Sequence, residues 1–206
     1  MKPFALLLFV LLATSPAPAA DTSAEKPPCC RRTEPVAKPT DGSLYQLESE
    51  WTSDAGRTIR LGVLQGRPLL VAMFFTTCEY ACPILVHDLQ RIQESLPAEL
   101  RREVDILLVS FDTERDTPAV LRAFRESKGL GKDHWTLLTG RADDVRELAA
   151  LLGVNYKKEA RGQFAHSNVI TLLNRDGEVA YQLAGLQQDS GALLVAVGKA
   201  VRAPAR

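Results

Sequence analysis

Two cysteines near the middle of the chain carry side chains that bind soft metals and exchange electrons. Cys78 and Cys82 are separated by three residues in the segment Cys78-Glu-Tyr-Ala-Cys82-Pro83. A fully helical segment would place their Cα atoms roughly 6.2 Å apart, which a disulfide can bridge. At that separation both sulfurs can also reach one metal ion at about 2.3 Å. The pair can therefore form a disulfide or bind a metal, but not both at once.

The proline after Cys82 predicts where a helix begins. Because proline is tolerated only in the first turn of a helix, Pro83 places Cys82 at or next to the helix N-terminus. The positive end of the helix dipole stabilises a thiolate and lowers the pKa of the thiol. We therefore expect Cys82 to be the more acidic of the two thiols. A local disulfide without function is the simplest alternative, although so short a loop stabilises a fold only weakly.

The hydrophobic pattern predicts the elements that position this pair. A continuous apolar run at residues 69–75 is typical of a strand buried on both faces of a sheet, and residues 104–111 predict a second buried strand. Apolar residues at helical spacing follow the cysteines until Pro97, and Thr117-Pro118 is typical of the start of a second helix. Residues 135–138 predict another short strand. Together these segments alternate strands with helices.

The remaining segments complete the fold prediction. A helix ends at Gly153, and residues 169–173 and 178–183 predict a hairpin followed by a C-terminal helix. With a first hairpin after Trp51, the order is a hairpin, βαβαβα, a hairpin and a helix. This order predicts the α/β class. We expect a thioredoxin-like fold, with a central mixed sheet, helices on both faces and an added N-terminal β-hairpin.

A histidine completes a candidate metal site. His166 precedes the predicted strand at residues 169–173, and in a thioredoxin-like fold the start of that strand lies beside the helix that carries the cysteines. Two cysteines and one histidine suit Cu(I) and can also hold Cu(II), whereas zinc normally takes a fourth ligand. Without the cysteines, His166 would be interpreted as an ordinary loop histidine. The other histidines, His87 and His134, are expected to be surface or structural residues.

The N-terminal residues predict export. Residues 1–20 have the charged start, short apolar run and small-residue cleavage region of a signal peptide. We expect a periplasmic protein, or a membrane-anchored one if this segment stays uncleaved. Residues 21–42 predict a disordered linker, and residues 43–206 the thioredoxin-like domain. The linker contains Cys29 and Cys30, which could pass on metal, form disulfides or be dispensable.

The overall composition excludes one class of partner. The chain has 25 lysines and arginines against 25 aspartates and glutamates, a formal net charge of zero. Binding to nucleic acid phosphates needs a basic surplus, so nucleic acid is not an expected partner. The four cysteines form two close pairs instead of a spread framework, which argues against a disulfide scaffold.

Four short motifs occur in a specific order: Phe74-Phe-Thr-Thr-Cys78-Glu-Tyr-Ala-Cys82-Pro83, Ser110-Phe-Asp-Thr-Glu-Arg-Asp-Thr-Pro118, Leu138-Thr-Gly140 and His166-Ser167. Over roughly residues 45–200 the chain resembles the SCO/SenC family of copper-binding cytochrome oxidase assembly proteins. The resemblance implies that Cys78, Cys82 and His166 bind copper, as Cu(I) or Cu(II). It also implies delivery of copper to the binuclear copper site of cytochrome c oxidase, or reduction of the cysteines of that site. The implied partners are the copper-site subunit or another exported cuproprotein, together with thiol reductants.

Two positions in these motifs qualify the resemblance. Asp112 matches an acidic residue near the site of the family, although a surface carboxylate at a strand end is an equal alternative. Glu79 stands where the family often has proline, and a carboxylate there could tune metal affinity or the thiol pKa. The family is also commonly membrane-anchored, whereas this chain is expected to be secreted after cleavage.

Two other function classes use the same cysteines. A thiol-disulfide reductase for exported partners would use Cys78 and Cys82 as its redox pair and would not need His166. A copper or redox sensor would bind a membrane partner in a metal-dependent way. The sequence favours a metallochaperone over an enzyme, but it does not choose between delivery, reduction and sensing.

Overall fold

Nine strands form two sheets in a computed structural model that describes residues 40–159 and 162–204. The strands are β1 (Trp51–Ser53), β2 (Thr58–Ile59), β3 (Leu69–Phe74), β4 (Asp105–Ser110), β5 (Trp135–Gly140), β6 (Tyr156–Lys158), β7 (Phe164–His166), β8 (Val169–Leu173) and β9 (Val179–Ala184). Seven of these strands form one sheet in the order β2-β1-β5-β4-β3-β8-β9, and β6 pairs with β7 in a separate hairpin. The main sheet is mixed, because β3, β4 and β5 are parallel and the other pairs are antiparallel.

The helices that connect these strands begin and end at local signals in the sequence. They are α1 (Ala81–Ser95), α2 (Ala98–Arg101), α3 (Pro118–Ser127), α4 (Ala142–Leu151) and α5 (Gly191–Arg202). The Thr117 side chain caps α3 by accepting a hydrogen bond from the Val120 amide. On α1, Leu85, Leu89 and Ile92 recur at helical spacing and are buried in the core.

The parallel centre of the sheet brings two loops to the same edge. All six residues of β3 are buried, and Leu69 to Phe74 pair in register with Asp105 to Ser110 of β4. Both strands therefore end at the same side of the sheet. The segment that carries the cysteines leaves β3 there, and the loop before α3 leaves β4 there. In open α/β sheets this edge is where binding sites form.

The predicted thioredoxin-like fold and its element order are confirmed, with two additions. Pro97 ends α1 as predicted, but the short helix α2 follows it directly. The hairpin of β6 and β7, whose strands have three residues each, was not predicted. The predicted signal peptide, Cys29 and Cys30 lie outside the described residues. In the two described ranges, no helix is both long and apolar enough to cross a membrane.

Candidate metal centre

The two cysteines lie on either side of the start of α1. Cys78 belongs to the turn after β3 and is half-buried, whereas Cys82 is the second residue of α1 and is fully buried. The Cys82 amide donates a hydrogen bond to the Cys78 Sγ at 3.3 Å. The first amides of a helix have no partner within the helix, so the sulfur of Cys78 satisfies one of them. Cys78 therefore lies outside the helix, and the fully helical spacing expected for the pair does not apply.

The pKa values of the two thiols are shifted in opposite directions. The Cys82 thiol donates a hydrogen bond to the Cys78 sulfur, and this contact lowers the pKa of Cys78 to about 4. Burial opposes the shift, whereas hydrogen bonds from the Cys82 and Tyr80 amides and from His166 add to it. The same contact raises the pKa of Cys82, as does its burial. Cys78 is thus the thiolate and Cys82 the thiol that stabilises it.

The expectation that Cys82 is the more acidic thiol was wrong. The helix N-terminus does stabilise a thiolate, but the sulfur that faces the free amides belongs to Cys78, which precedes the helix. Cys82 lies inside the first turn, where its side chain has no exposed surface. Burial favours the neutral thiol, and a thiolate on Cys78 opposes a second negative charge beside it.

Alkylation of the metal-free protein tests this assignment. Because the pKa of Cys78 lies near 4, its thiolate fraction stays close to one between pH 5.5 and pH 8. The rate of iodoacetamide modification of Cys78 should therefore be flat over that range, where an ordinary thiol gains about tenfold per pH unit. Replacing Cys82 by alanine removes the donor and should restore the ordinary slope. A steep profile in the unsubstituted protein would contradict the assignment.

His166 reaches the cysteines from the β6–β7 hairpin. Its Nε2 lies 3.8 Å from the Cys82 Sγ, and its Nδ1 lies 3.2 Å from the Ser167 carbonyl oxygen. A carbonyl only accepts hydrogen bonds, so Nδ1 carries a proton, and Nε2 is the ring nitrogen that faces the sulfurs. The imidazole also packs against the rings of Phe75 and Phe111, with centroids 5.9 Å and 5.1 Å away. This packing fixes the orientation of the ring.

The three donors form one compact group. The sulfurs of Cys78 and Cys82 and a ring nitrogen of His166 all lie within 4.8 Å of one another. Two soft sulfur ligands and an imidazole match the preference of copper, and Cu(I) above all, for thiolate donors. The donor set thus fits copper in number and type. The structure brings together all three of the predicted site residues.

An arginine joins the loop before α3 to the hairpin that carries His166. Arg115 forms an ion pair with Asp112 and also donates a hydrogen bond to the Gly162 carbonyl oxygen. Asp112 is 1 % exposed, so it is not a surface carboxylate. Its contact with the site is indirect, through Arg115 and the hairpin. Gly162 has a φ of +71°, and a Cβ there would lie 2.9 Å from the Arg115 guanidinium.

A second aspartate fixes the segment that carries the cysteines, and the sequence interpretation assigned it no role. Asp116 is buried and accepts hydrogen bonds from the Thr76 amide at 2.9 Å and from the hydroxyls of Thr76 and Ser110. Its charge also adds to the raised pKa of Cys82. The only signal for it was its place in a motif of the family resemblance.

The other candidates lie apart from the cluster. His87 is exposed on α1, and the Nδ1 of His134 contacts Asp105 at 2.9 Å, in keeping with surface and structural roles. Glu79 is exposed beside Cys78. None of these three side chains belongs to the compact group of donors found in the described part of the chain.

Comparison with known proteins places this chain in a family. The family model described as SCO1/SenC matches residues 38–201, which include every residue of the cluster. The chain belongs to the SCO1/SenC family. A protein of Stutzerimonas stutzeri, whose name describes it as copper-binding, is 27 % identical over 178 residues, covering 84 % of this chain and 83 % of that protein.

Two solved structures of the SCO1/SenC family share the fold. BsSco, described as a cytochrome c oxidase assembly protein with a disulfide switch, has a TM-score of 0.67 at 26 % identity and covers 82 % of this chain and 100 % of its own. ScoI of Bradyrhizobium japonicum, solved with copper bound, has a TM-score of 0.61 at 21 % identity and covers 73 % of this chain and 96 % of its own. The thioredoxin-like architecture is thus common to this chain and to other SCO proteins.

Proposed function

We propose that this protein is an exported copper-binding assembly factor that carries copper on Cys78, Cys82 and His166. The observation that carries the proposal is the convergence of two sulfurs and one imidazole nitrogen within 4.8 Å. Membership of the SCO1/SenC family supports it, as does the similarity to a protein whose name describes it as copper-binding. The client would be the binuclear copper site of cytochrome c oxidase, which the description of BsSco supports. The signal pattern of residues 1–20 supports a periplasmic location.

The acidities of the two cysteines prepare them for loading. Cys78 offers a thiolate without losing a proton, and it is half-buried, so an entering ion meets it first. Cys82 is buried and protonated, so it must release its proton to become the second ligand. His166 turns its Nε2 towards the sulfurs because Nδ1 donates to the Ser167 carbonyl oxygen. Of the two thiols, Cys82 therefore supplies the proton that loading releases.

A transfer assay tests the delivery role. The Cu(I)-loaded protein is mixed with the copper-free soluble domain of the oxidase copper-site subunit. The two proteins are then separated by ion exchange, and the copper content of each reports transfer. We expect stoichiometric loss of copper from this protein and an equal gain of copper in the subunit domain. The His87→Ala variant is the matched control, because His87 is exposed and lies outside the cluster. Retention of all copper on the loaded protein would contradict delivery.

A second candidate is reduction of the client cysteines, and the adjacent free thiols favour it. The Cys78 thiolate would attack a client disulfide, forming a mixed disulfide and releasing one client thiolate. Cys82 would then attack Cys78, releasing the second client sulfur and passing on its own proton. The client disulfide gains two electrons, and the Cys78–Cys82 disulfide forms. The His166→Ala variant separates the two roles, because reduction should survive in it while copper binding weakens.

A further inference from the structure

A second concave site lies at the opposite end of the sheet from the cysteines. Trp135 and Thr136 at the start of β5 line it, whereas the cysteine segment follows the end of the parallel strand β3. The cavity has a volume of about 270 Å³. Its charged lining consists of four cations and two carboxylates: Arg57, Arg122, Arg125, Lys132, Asp54 and Glu126. The site thus has a surplus of positive charge in a chain whose net charge is zero.

One carboxylate is already neutralised beneath the cavity. Arg125 is 5 % exposed, and its Nε and Nη2 donate to the two carboxylate oxygens of Asp54 at 2.6 Å and 3.0 Å. The same guanidinium donates to the carbonyls of Gly131 and Trp135 at 2.7 Å and 2.9 Å. These contacts make the pair a rigid floor. Because Asp54 is paired with Arg125, it does not offset the charge of the other cations of the lining.

The remaining cations of the lining keep hydrogen-bond donors available for a ligand. Arg122 donates through Nε and Nη2 to the main-chain oxygen of Asp54, at 3.1 Å and 3.0 Å, which fixes its guanidinium in the wall and leaves Nη1 for another acceptor. Across residues 40–159 and 162–204, neither Arg57 nor Lys132 forms an ion pair. Glu126 is exposed on α3, four residues after Arg122, and is the one carboxylate of the lining that competes for these donors.

We propose that this cavity binds a phosphate group, held by Arg57, Arg122 and Lys132 above the Asp54–Arg125 floor. The paired N–H donors of a guanidinium match the oxygens of phosphate. An arginine that is already held by hydrogen bonds, as Arg122 is, loses little side-chain freedom when it binds a ligand. The volume lies just below the range of about 300–1,000 Å³ that is typical of drug-sized ligands, so the ligand is a small one. The phosphate could belong to a soluble phosphorylated compound or to a lipid headgroup. This site is independent of the metal centre.

Titration of the whole protein with inorganic diphosphate, followed by calorimetry, tests the proposal. The double substitution Arg57→Ala and Lys132→Ala should weaken binding by at least about tenfold, since two charge-assisted contacts are lost. Glu126→Gln removes the competing carboxylate and should strengthen binding by about threefold or more. The control Lys199→Ala removes an exposed lysine from α5 and should leave binding unchanged.

Vesicles that contain phosphatidylglycerol distinguish the two sources of phosphate. Flotation with the vesicles that diphosphate competes away, and that the double variant loses, identifies a lipid headgroup. Binding of diphosphate without flotation identifies a soluble ligand. The proposal fails if the unsubstituted protein binds neither probe. It also fails if Lys199→Ala weakens binding as much as the double variant does, or if Glu126→Gln fails to strengthen it. Thermal unfolding without ligand should be the same in all variants, because each substituted side chain is exposed.

Discussion

Replacing Cys82 by serine is expected to lower the affinity for Cu(I) by more than about 1,000-fold, or about 4 kcal/mol of binding free energy. Cu(I) prefers soft sulfur ligands, and a buried hydroxyl is a hard, neutral donor in the same position. The remaining Cys78 thiolate and His166 imidazole would hold the ion through one sulfur only. Competition with a chromophoric Cu(I) chelator measures the loss directly.

A matched set of variants separates this effect from damage to the fold. Cys82 is fully buried, so the serine hydroxyl also costs stability, which urea unfolding of the metal-free protein measures. Cys78 is half-buried, and Cys78→Ser should lose Cu(I) to a similar extent at a smaller cost in stability. His87→Ala should retain full affinity. An affinity within tenfold of the unsubstituted protein in both serine variants would show that the cysteines are not the copper ligands.

The core of the fold was predictable because it depends on local patterns. Residues 69–75 are apolar without interruption, and residues 106–109 form an apolar stretch between Asp105 and Ser110. Such runs are typical of strands buried on both faces, and both became central parallel strands. Pro83 and Thr117 marked helix starts through constraints that act within a single turn. Constraints of this kind act within a few residues and do not depend on distant segments of the chain.

The features that the sequence did not reveal depend on contacts between distant segments. The Asp116 carboxylate meets Thr76 across 40 residues, and Arg115 meets the Gly162 carbonyl across 47. The predicted order of the two cysteine pKa values was wrong for a local reason, because the relative position of the two side chains outweighed the helix dipole that both share. The hairpin of β6 and β7 is anchored mainly by aromatic packing, such as Phe164 against Phe75 and Phe111, and no local pattern specifies that packing.

Replacing Arg115 by methionine is expected to lower the affinity for Cu(II) by about 10- to 100-fold, the usual cost of removing a group that orients a metal ligand. Methionine keeps much of the length of the side chain but neither donates to Gly162 nor pairs with Asp112. The hairpin then loses a fixed contact, and His166 is held less firmly beside the sulfurs. Cu(I) affinity should fall much less, because two thiolates satisfy that ion.

Matched variants distinguish an effect on His166 from a general loss of stability. Arg115→Met leaves Asp112 buried without its cation, which destabilises the fold, and Asp112→Asn in the same chain should recover much of that loss. Because the contact with Gly162 stays absent, Cu(II) affinity and the copper hyperfine splitting should remain altered in the double variant. Glu114→Gln breaks the exposed ion pair with Lys158, a further charged link to the hairpin among the described residues, and should change Cu(II) affinity less than twofold. If the double variant regains full Cu(II) affinity, Arg115 acts on stability alone and does not position His166.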